Sequence, residues 1–233
     1  MTVKIARCLF EQSGTFRDAF RRLGIESFDY DIRNDFGKTD IQLDLFEQIE
    51  KAYNGKWSIF DDFTEEDILI AFFPCTYFCG NNELFFNGTN YAWRALPMSS
   101  RLDRIIDRAR EREEYYVRLI KLCYIAEVRG LRLIIENPYN AHHYLRFNFP
   151  YKPAVIDMNR RLSGDYYRKP TQYIFINCKP AANKSMQLVK PIRYIESQKT
   201  IDRSLISPDY AYNFICDKIL DKNSGHTIPS LFN

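Results

Sequence analysis

The run Asp67-Ile68-Leu69-Ile70-Ala71-Phe72-Phe73 is apolar almost throughout and ends in Pro74-Cys75. A short unbroken apolar run bounded by turn residues reads as a buried strand. A second run, Leu131-Arg132-Leu133-Ile134-Ile135, ends in Glu136-Asn137-Pro138. Two such strands place a thiol and a carboxyl at the carboxyl edge of a sheet, where open α/β folds hold their ligands. That pair suits covalent chemistry on an electrophilic ring, with the thiolate attacking and the acid protonating. Either motif alone reads equally well as an ordinary strand end.

Upstream, Val3 to Phe10 alternates apolar and polar residues as a strand does. Gly14 and Thr15 make a turn, and Phe16, Ala19, Phe20 and Leu23 recur at helical spacing before Gly24. Ser27 to Ile32 reads as a second strand ending in acids. Asp40 to Tyr53 reads as a short strand running into a helix, followed by the strand from Asp67. This alternation predicts an α/β fold with a doubly wound, mostly parallel sheet.

Downstream, residues 76–100 are rich in Asn, Gly and aromatics, and a loop of that length inside a domain is commonly functional. Ser99 or Ser100 is the expected N-cap of a long helix reaching about Val128 and ended by Gly130. Gln172 to Cys178 reads as a further strand, and Ser207-Pro208 opens a last helix within 205–220. We read residues 1–233 as one domain.

Composition bounds the function. The chain has 233 residues, 45% hydrophobic and 27% charged, a globular balance with enough length for a core. No apolar run approaches the roughly 20 residues that span a bilayer, and residues 1–10 do not read as a signal peptide. Six cysteines without CxxC spacing argue for a reducing compartment. The expectation is a cytoplasmic protein, in a bacterial or phage-infected cell, with no membrane partner. A net charge of +3 requires any nucleic-acid binding to come from a local basic surface.

The segment Phe10-Glu11-Gln12-Ser13-Gly14-Thr15-Phe16-Arg17-Asp18-Ala19-Phe20-Arg21-Arg22-Leu23-Gly24 resembles the cofactor-binding start of the cytosine-5 DNA methyltransferases. That family reads Phe-x-Gly-x-Gly-Gly-Phe-Arg-x-Ala-hydrophobic and ends in Leu-Gly; here Gln12 and Thr15 stand in place of two glycines. Phe73-Pro74-Cys75 resembles its Pro-Pro-Cys nucleophile turn and Glu136-Asn137-Pro138 its Glu-Asn-Val turn. Cys75-Thr76-Tyr77, Glu136-Asn137-Pro138 and Gly164-Asp165-Tyr166-Tyr167-Arg168-Lys169-Pro170-Thr171 are more similar still to small phage-type relatives. The resemblance covers roughly residues 5–178, and Ser204 to Ala211 weakly resembles the closing segment.

The resemblance implies a Rossmann-like methyltransferase fold that binds S-adenosyl-L-methionine near Phe10, Gly14, Thr15 and Pro74. Asp31 falls where the family carries an acid for the ribose hydroxyls, with Asp29 as its rival, and Asp44 where an acid accepts from the adenine amino group. Cys75 is the implied nucleophile and Glu136 the acid at ring nitrogen 3. Arg168 or Lys169 takes the approximate place of an arginine that contacts the base, although the family's Gln-x-Arg-x-Arg spacing is absent. Thr76, Tyr77, Asn137 and Pro138 are the expected substrate neighbours.

Arg101, Arg104, Arg108 and Arg112 line one face of the predicted long helix, a stripe suited to phosphates or to a solvated, mixed-charge surface. Cys75, Cys79, His142 and His143 fit structural zinc spacings poorly, so no metal is expected. The expected reaction is cytosine carbon-5 methylation in DNA. RNA or a free pyrimidine nucleotide, and a silent protein that binds nucleic acid or a host protein, are the alternatives. Few residues follow Gln172, so no large separate recognition domain is expected. Base recognition then falls to residues 76–100, to 138–165 or to a partner chain.

Overall fold

The computed structural model describes residues 2–183 and 205–220. Its centre is a seven-stranded sheet built from β1 (Ile5–Leu9), β2 (Glu26–Asp31), β3 (Ile41–Gln42), β4 (Ile68–Ala71), β5 (Arg132–Pro138), β6 (Val155–Asp157) and β7 (Thr171–Ile176). The strand order is β3-β2-β1-β4-β5-β7-β6. The first five run parallel, and β7 is antiparallel to both β5 and β6. The expected doubly wound, mostly parallel sheet is therefore present.

Alternation along the central strands divides the core into two layers, because successive side chains leave a strand on opposite faces. On β4, Leu69 and Ala71 face one layer while Ile68 and Ile70 face the other. The first layer receives α2 (Leu45–Tyr53) and the long α4 (Met98–Arg129) through Leu45, Ile49, Leu119, Leu122 and Ala126. The second receives α1 (Thr15–Arg22) and α6 (Pro208–Phe214) through Phe16, Phe20, Tyr210 and Phe214.

Helix α4 starts one to two residues before the expected serine caps. Pro97 is its N-cap, Ser99 and Ser100 lie inside the first turn, and Gly130 ends it with φ 66°. Proline with its fixed φ suits a helix entrance, so no side-chain cap is needed there. Three elements have no counterpart in the sequence reading: α3 (Glu83–Phe86), α5 (Tyr144–Asn148) and β6. The 76–100 segment is thus partly helical.

Position in the sheet decides where a site can form. β1 leads to β2 and β3 on one side and adjoins β4 and β5 on the other, so the chain's direction of winding switches between β1 and β4. Leu9, Ala71 and Ile135 lie in one register row. The residues that follow them, Phe10, Phe72 and Glu136, therefore leave the sheet side by side at the carboxyl edge.

Candidate active site

A cleft of about 280 Å³ opens at this switch point. Phe10 to Ser13 line it from β1, Phe72 to Thr76 from β4 and Glu136 from β5; Phe36, Lys169, Leu205 and Ile206 complete the wall. Cys75 and Glu136, far apart in sequence, share this one cavity.

On the β1 side, Phe10 holds a left-handed φ of 59° although it carries a side chain. Such backbone strain costs on the order of 1–3 kcal/mol and concentrates at functional sites. Its amide donates to the Tyr30 carbonyl at 2.8 Å, and its ring packs against Phe46 and Phe73. Glu11, only 6% exposed, turns back onto the start of α1. Its carboxylate accepts from the Phe16 amide at 2.8 Å and from the Arg17 amide at 3.4 Å. Burial pushes its pKa up to about 7 despite those bonds. The orphan amides at a helix N-terminus usually invite an external anion; here an internal carboxylate occupies them.

Gly14 supplies the φ of 70° that starts α1, and an added Cβ would collide with the Arg17 guanidinium. That guanidinium is held by Asp29 at 3.0 Å and Asp40 at 3.1 Å. Asp29 is fully buried and engaged by Arg17, whereas Asp31 is half-buried at the end of β2, accepting from the Arg33 amide at 2.8 Å. Burial raises the pKa of Asp31. Gln12, standing where a glycine is expected, accepts from the Asp35 amide and ties the β1 turn to the loop after β2. Asp44 is the N-cap of α2, accepting from the Phe46 and Glu47 amides, and of the expected cofactor residues Gly14, Thr15, Asp31 and Asp44 lie outside the cleft lining, whereas Phe10 and Pro74 are part of it.

On the β4 side, Pro74 leads into a helical turn in which the amides of Phe78 and Cys79 donate to the Cys75 carbonyl. This turn brings the Cys79 thiol to the Cys75 sulfur. A hydrogen bond from Cys79 is the largest influence on Cys75 and lowers its pKa; burial opposes it, Lys169 assists and Glu136 opposes. The two thiols titrate as a pair, and the same contact pushes Cys79 up, with burial adding to it.

On the β5 side, Glu136 pairs with Tyr173 in β7 and is 8% exposed. Its Oε1 makes no hydrogen bond, while Arg160 Nη1 lies 3.8 Å away. Arg160 is itself buried, 2.5 Å from Asp165 and stacked over Tyr210. Neither Arg160 nor Glu11 was among the residues expected at the site.

Other expected site residues divide. Lys169 and Thr76 line the cleft. Arg168 is exposed and does not line it. Asn137 is fully buried and outside the cleft lining; its Nδ2 donates to the Phe73 and Glu136 carbonyls and fastens β5 to the Cys75 turn, while its Oδ1 has no partner. Pro138 likewise lies outside the cleft, its carbonyl accepting from Gln172. Tyr77 packs on Tyr115 and beneath Arg108, 4.1 Å from its ring. Arg108 also pairs with Glu111, and Arg104 lies over Trp93, so these arginines pin the 76–97 segment onto α4. Arg101 sits half-buried at the start of that helix. His143 is fully buried beside Gln172, and among the described residues no group of three or more His, Cys, Asp or Glu side chains could hold a metal ion. No protein-family model matches the chain, and no curated protein matches it.

Proposed function

We propose that this chain is a Rossmann-like methyltransferase that transfers a methyl group from S-adenosyl-L-methionine to carbon 5 of cytosine in DNA, with Cys75 as nucleophile. The observation that carries this reading is that Cys75, Glu136 and Lys169 meet in one cleft that is continuous with Phe10 and Glu11. A thiol favoured as thiolate beside a buried carboxyl is the equipment for adding to a pyrimidine ring.

The wall around Phe10 and Glu11 fits the donor. A doubly wound sheet that binds a dinucleotide leaves its first helix N-terminus open for a pyrophosphate. In this chain Glu11 fills that position, which repels phosphate and favours a ligand carrying positive charge. The Phe10 ring offers an apolar face for a purine, and Asp31 an acceptor for vicinal hydroxyls. When bound, the donor supplies an electrophilic methyl group on a sulfonium.

The residues then divide the work. Cys75 adds to cytosine carbon 6, which makes carbon 5 nucleophilic. Glu136, which lines the cleft, meets ring nitrogen 3 and stabilises the charge that builds up there, while Arg160 Nη1 stands 3.8 Å from its Oε1. Lys169 assists the thiolate. Loss of the carbon-5 proton and expulsion of the thiolate restore the ring. A base in duplex DNA must first leave the stack to reach the cleft. Recognition of flanking bases belongs to residues 76–100 and 138–165 or to a partner chain.

The test is transfer of an isotopically labelled methyl group to duplex DNA, RNA and free cytidine nucleotides. Transfer to DNA that is lost in Cys75→Ser supports the proposal. Label that appears only on RNA or nucleotide moves the substrate, and full activity in Cys75→Ser excludes the covalent route.

A further inference from the structure

Two thiols meet beside the cleft, and the proposed reaction uses one of them. Cys75 lines the cavity and Cys79 does not. Both are free thiols and half-buried. The Phe78 amide donates to the Cys75 carbonyl at 2.9 Å and the Cys79 amide donates to it at 3.1 Å, so residues 75–79 close one helical turn. Across such a turn, a rise of 1.5 Å per residue sets the two Cα atoms about 6 Å apart. Disulfides span Cα separations of roughly 4.4–6.8 Å, so the backbone already has a permitted spacing. The side chains face each other as well, since the Cys79 thiol is hydrogen-bonded to the Cys75 sulfur. Cys79 ends the turn with an extended ψ of 135°, and Gly80 follows it. Its side chain can therefore close the remaining distance without breaking a longer helix.

The other cysteines are placed differently. Cys8, Cys123 and Cys216 are buried, the Cys178 thiol donates to the Ile176 carbonyl at 3.4 Å, and none of the four lines the cleft. A small oxidant entering the cavity meets Cys75, with Lys169 in the same wall. The Cys79 contact and then Lys169 lower the pKa of Cys75, against burial. An accessible thiol of lowered pKa beside a second, resolving cysteine is the arrangement that oxidants act on reversibly.

We propose that Cys75 and Cys79 form a reversible disulfide under hydrogen peroxide, a modification that takes the nucleophile out of use. The Cys75 thiolate attacks one oxygen of the peroxide and the O–O bond breaks. Cys75 becomes a sulfenic acid, and the departing hydroxide takes up the proton that Cys75 had lost. The Cys79 sulfur then attacks the Cys75 sulfur, the S–O bond breaks, and a second water leaves with the Cys79 proton. The two thiols together lose two electrons, which the peroxide gains. A bond that closes so short a loop gains little from constraining the unfolded chain, so a dithiol reverses it readily. The bond does not depend on the substrate; only its effect on methyl transfer rests on the proposed function.

Mass spectrometry of the full chain tests it. The chain is treated with a small excess of hydrogen peroxide, quenched with catalase, blocked with N-ethylmaleimide and cut with trypsin. No Lys or Arg lies between Lys56 and Arg94, so one peptide, residues 57–94, carries both thiols. Before oxidation it should carry two maleimide groups. After oxidation it should carry none and be lighter than the unmodified peptide by two hydrogen atoms, and dithiothreitol should return both labels. Cys79→Ser should stop at a sulfenic acid on Cys75, trapped by dimedone, and Cys75→Ser should leave Cys79 labelled. Oxidation should abolish methyl transfer and dithiothreitol should restore it. A peptide that keeps both labels overturns the inference. So does a disulfide from Cys75 to any other cysteine, or Cys75 driven to sulfinic acid while Cys79 stays labelled. A chain that forms the bond yet transfers no methyl group in either state upholds the disulfide and counts against the proposed function alone.

Discussion

At Cys75, the Cys79 hydrogen bond and Lys169 favour the thiolate, against burial and Glu136. The balance makes the thiol more acidic than an ordinary cysteine, and it depends on one neighbouring S–H. Cys79→Ala should therefore shift the pH midpoint for alkylation of Cys75 upward, read from iodoacetamide rates across a pH series. An unmoved midpoint would show that Cys79 does not tune the nucleophile. Glu11 carries a second residue-scale expectation. Its pKa rises from 4.5 to about 7 on folding, so between those values the folded state holds a proton that the unfolded state releases. Stability from Glu11 is then present at low pH and lost as pH climbs toward 7. The loss is on the order of 3 kcal/mol at the conversion of about 1.4 kcal/mol per pKa unit. Urea denaturation of wild type and Glu11→Gln from pH 5 to 8 should show the wild-type profile falling relative to the variant. Parallel profiles would contradict it.

Among the elements, β5 is braced from both sides by buried polar groups. Asn137 ties it to Phe73, while Arg160 bridges from the 3₁₀ turn Arg160–Ser163 to Glu136 and Asp165. Removing one partner of a buried charge cluster typically costs 3–5 kcal/mol, because the remaining charges are left without compensation. Arg160→Met should lower stability by about that much in urea titration; a loss below about 1 kcal/mol would mean that Arg160 does not brace the strand. This arrangement also marks where sequence reading stops. Apolar runs disclosed β4 and β5, and the turns after them disclosed Cys75 and Glu136, because burial and strand ends leave local signatures. Arg160 lies in a polar stretch that reads as solvated, and only the packing of β7 and α6 over it makes it a core residue. Short elements such as β6 and α5 are too brief to show a period. The direction of β7 is set by pairing with β5, which no local pattern encodes. Asp44 and Asn137 show the complementary limit: the residue type that suits a ligand also suits a helix cap, as the Asp44 Oδ1 does for α2, or a strand tie, as the Asn137 Nδ2 does for β5.

For the molecule as a whole, two layers of helices hold the switch point between β1 and β4 open at one edge, and the cleft follows from the topology. The cleft wall at Phe10 and Glu11, with Asp31 at the end of β2 outside the lining, is where the proposed donor should bind. S-adenosyl-L-methionine at 100 times its Kd should stabilise the fold by about 2.7 kcal/mol, seen as a rise in melting temperature. Asp31→Ala should weaken its binding by roughly 1–3 kcal/mol in titration calorimetry, the cost of an unpaired hydroxyl partner. Normal binding by that variant would show that Asp31 does not hold the donor.

Mass spectrometry of the chain incubated with S-adenosyl-L-methionine and DNA containing 5-fluorocytosine reaches the chemistry itself. Fluorine cannot leave carbon 5 as a cation, so elimination stalls and the thioether persists. The expected product is one covalent adduct that maps to Cys75, is absent in Cys75→Ser, persists in Cys79→Ser and forms slowly in Glu136→Gln. An adduct on another cysteine, or no adduct with DNA while the cofactor binds, would contradict Cys75 as the nucleophile of a DNA methyltransferase.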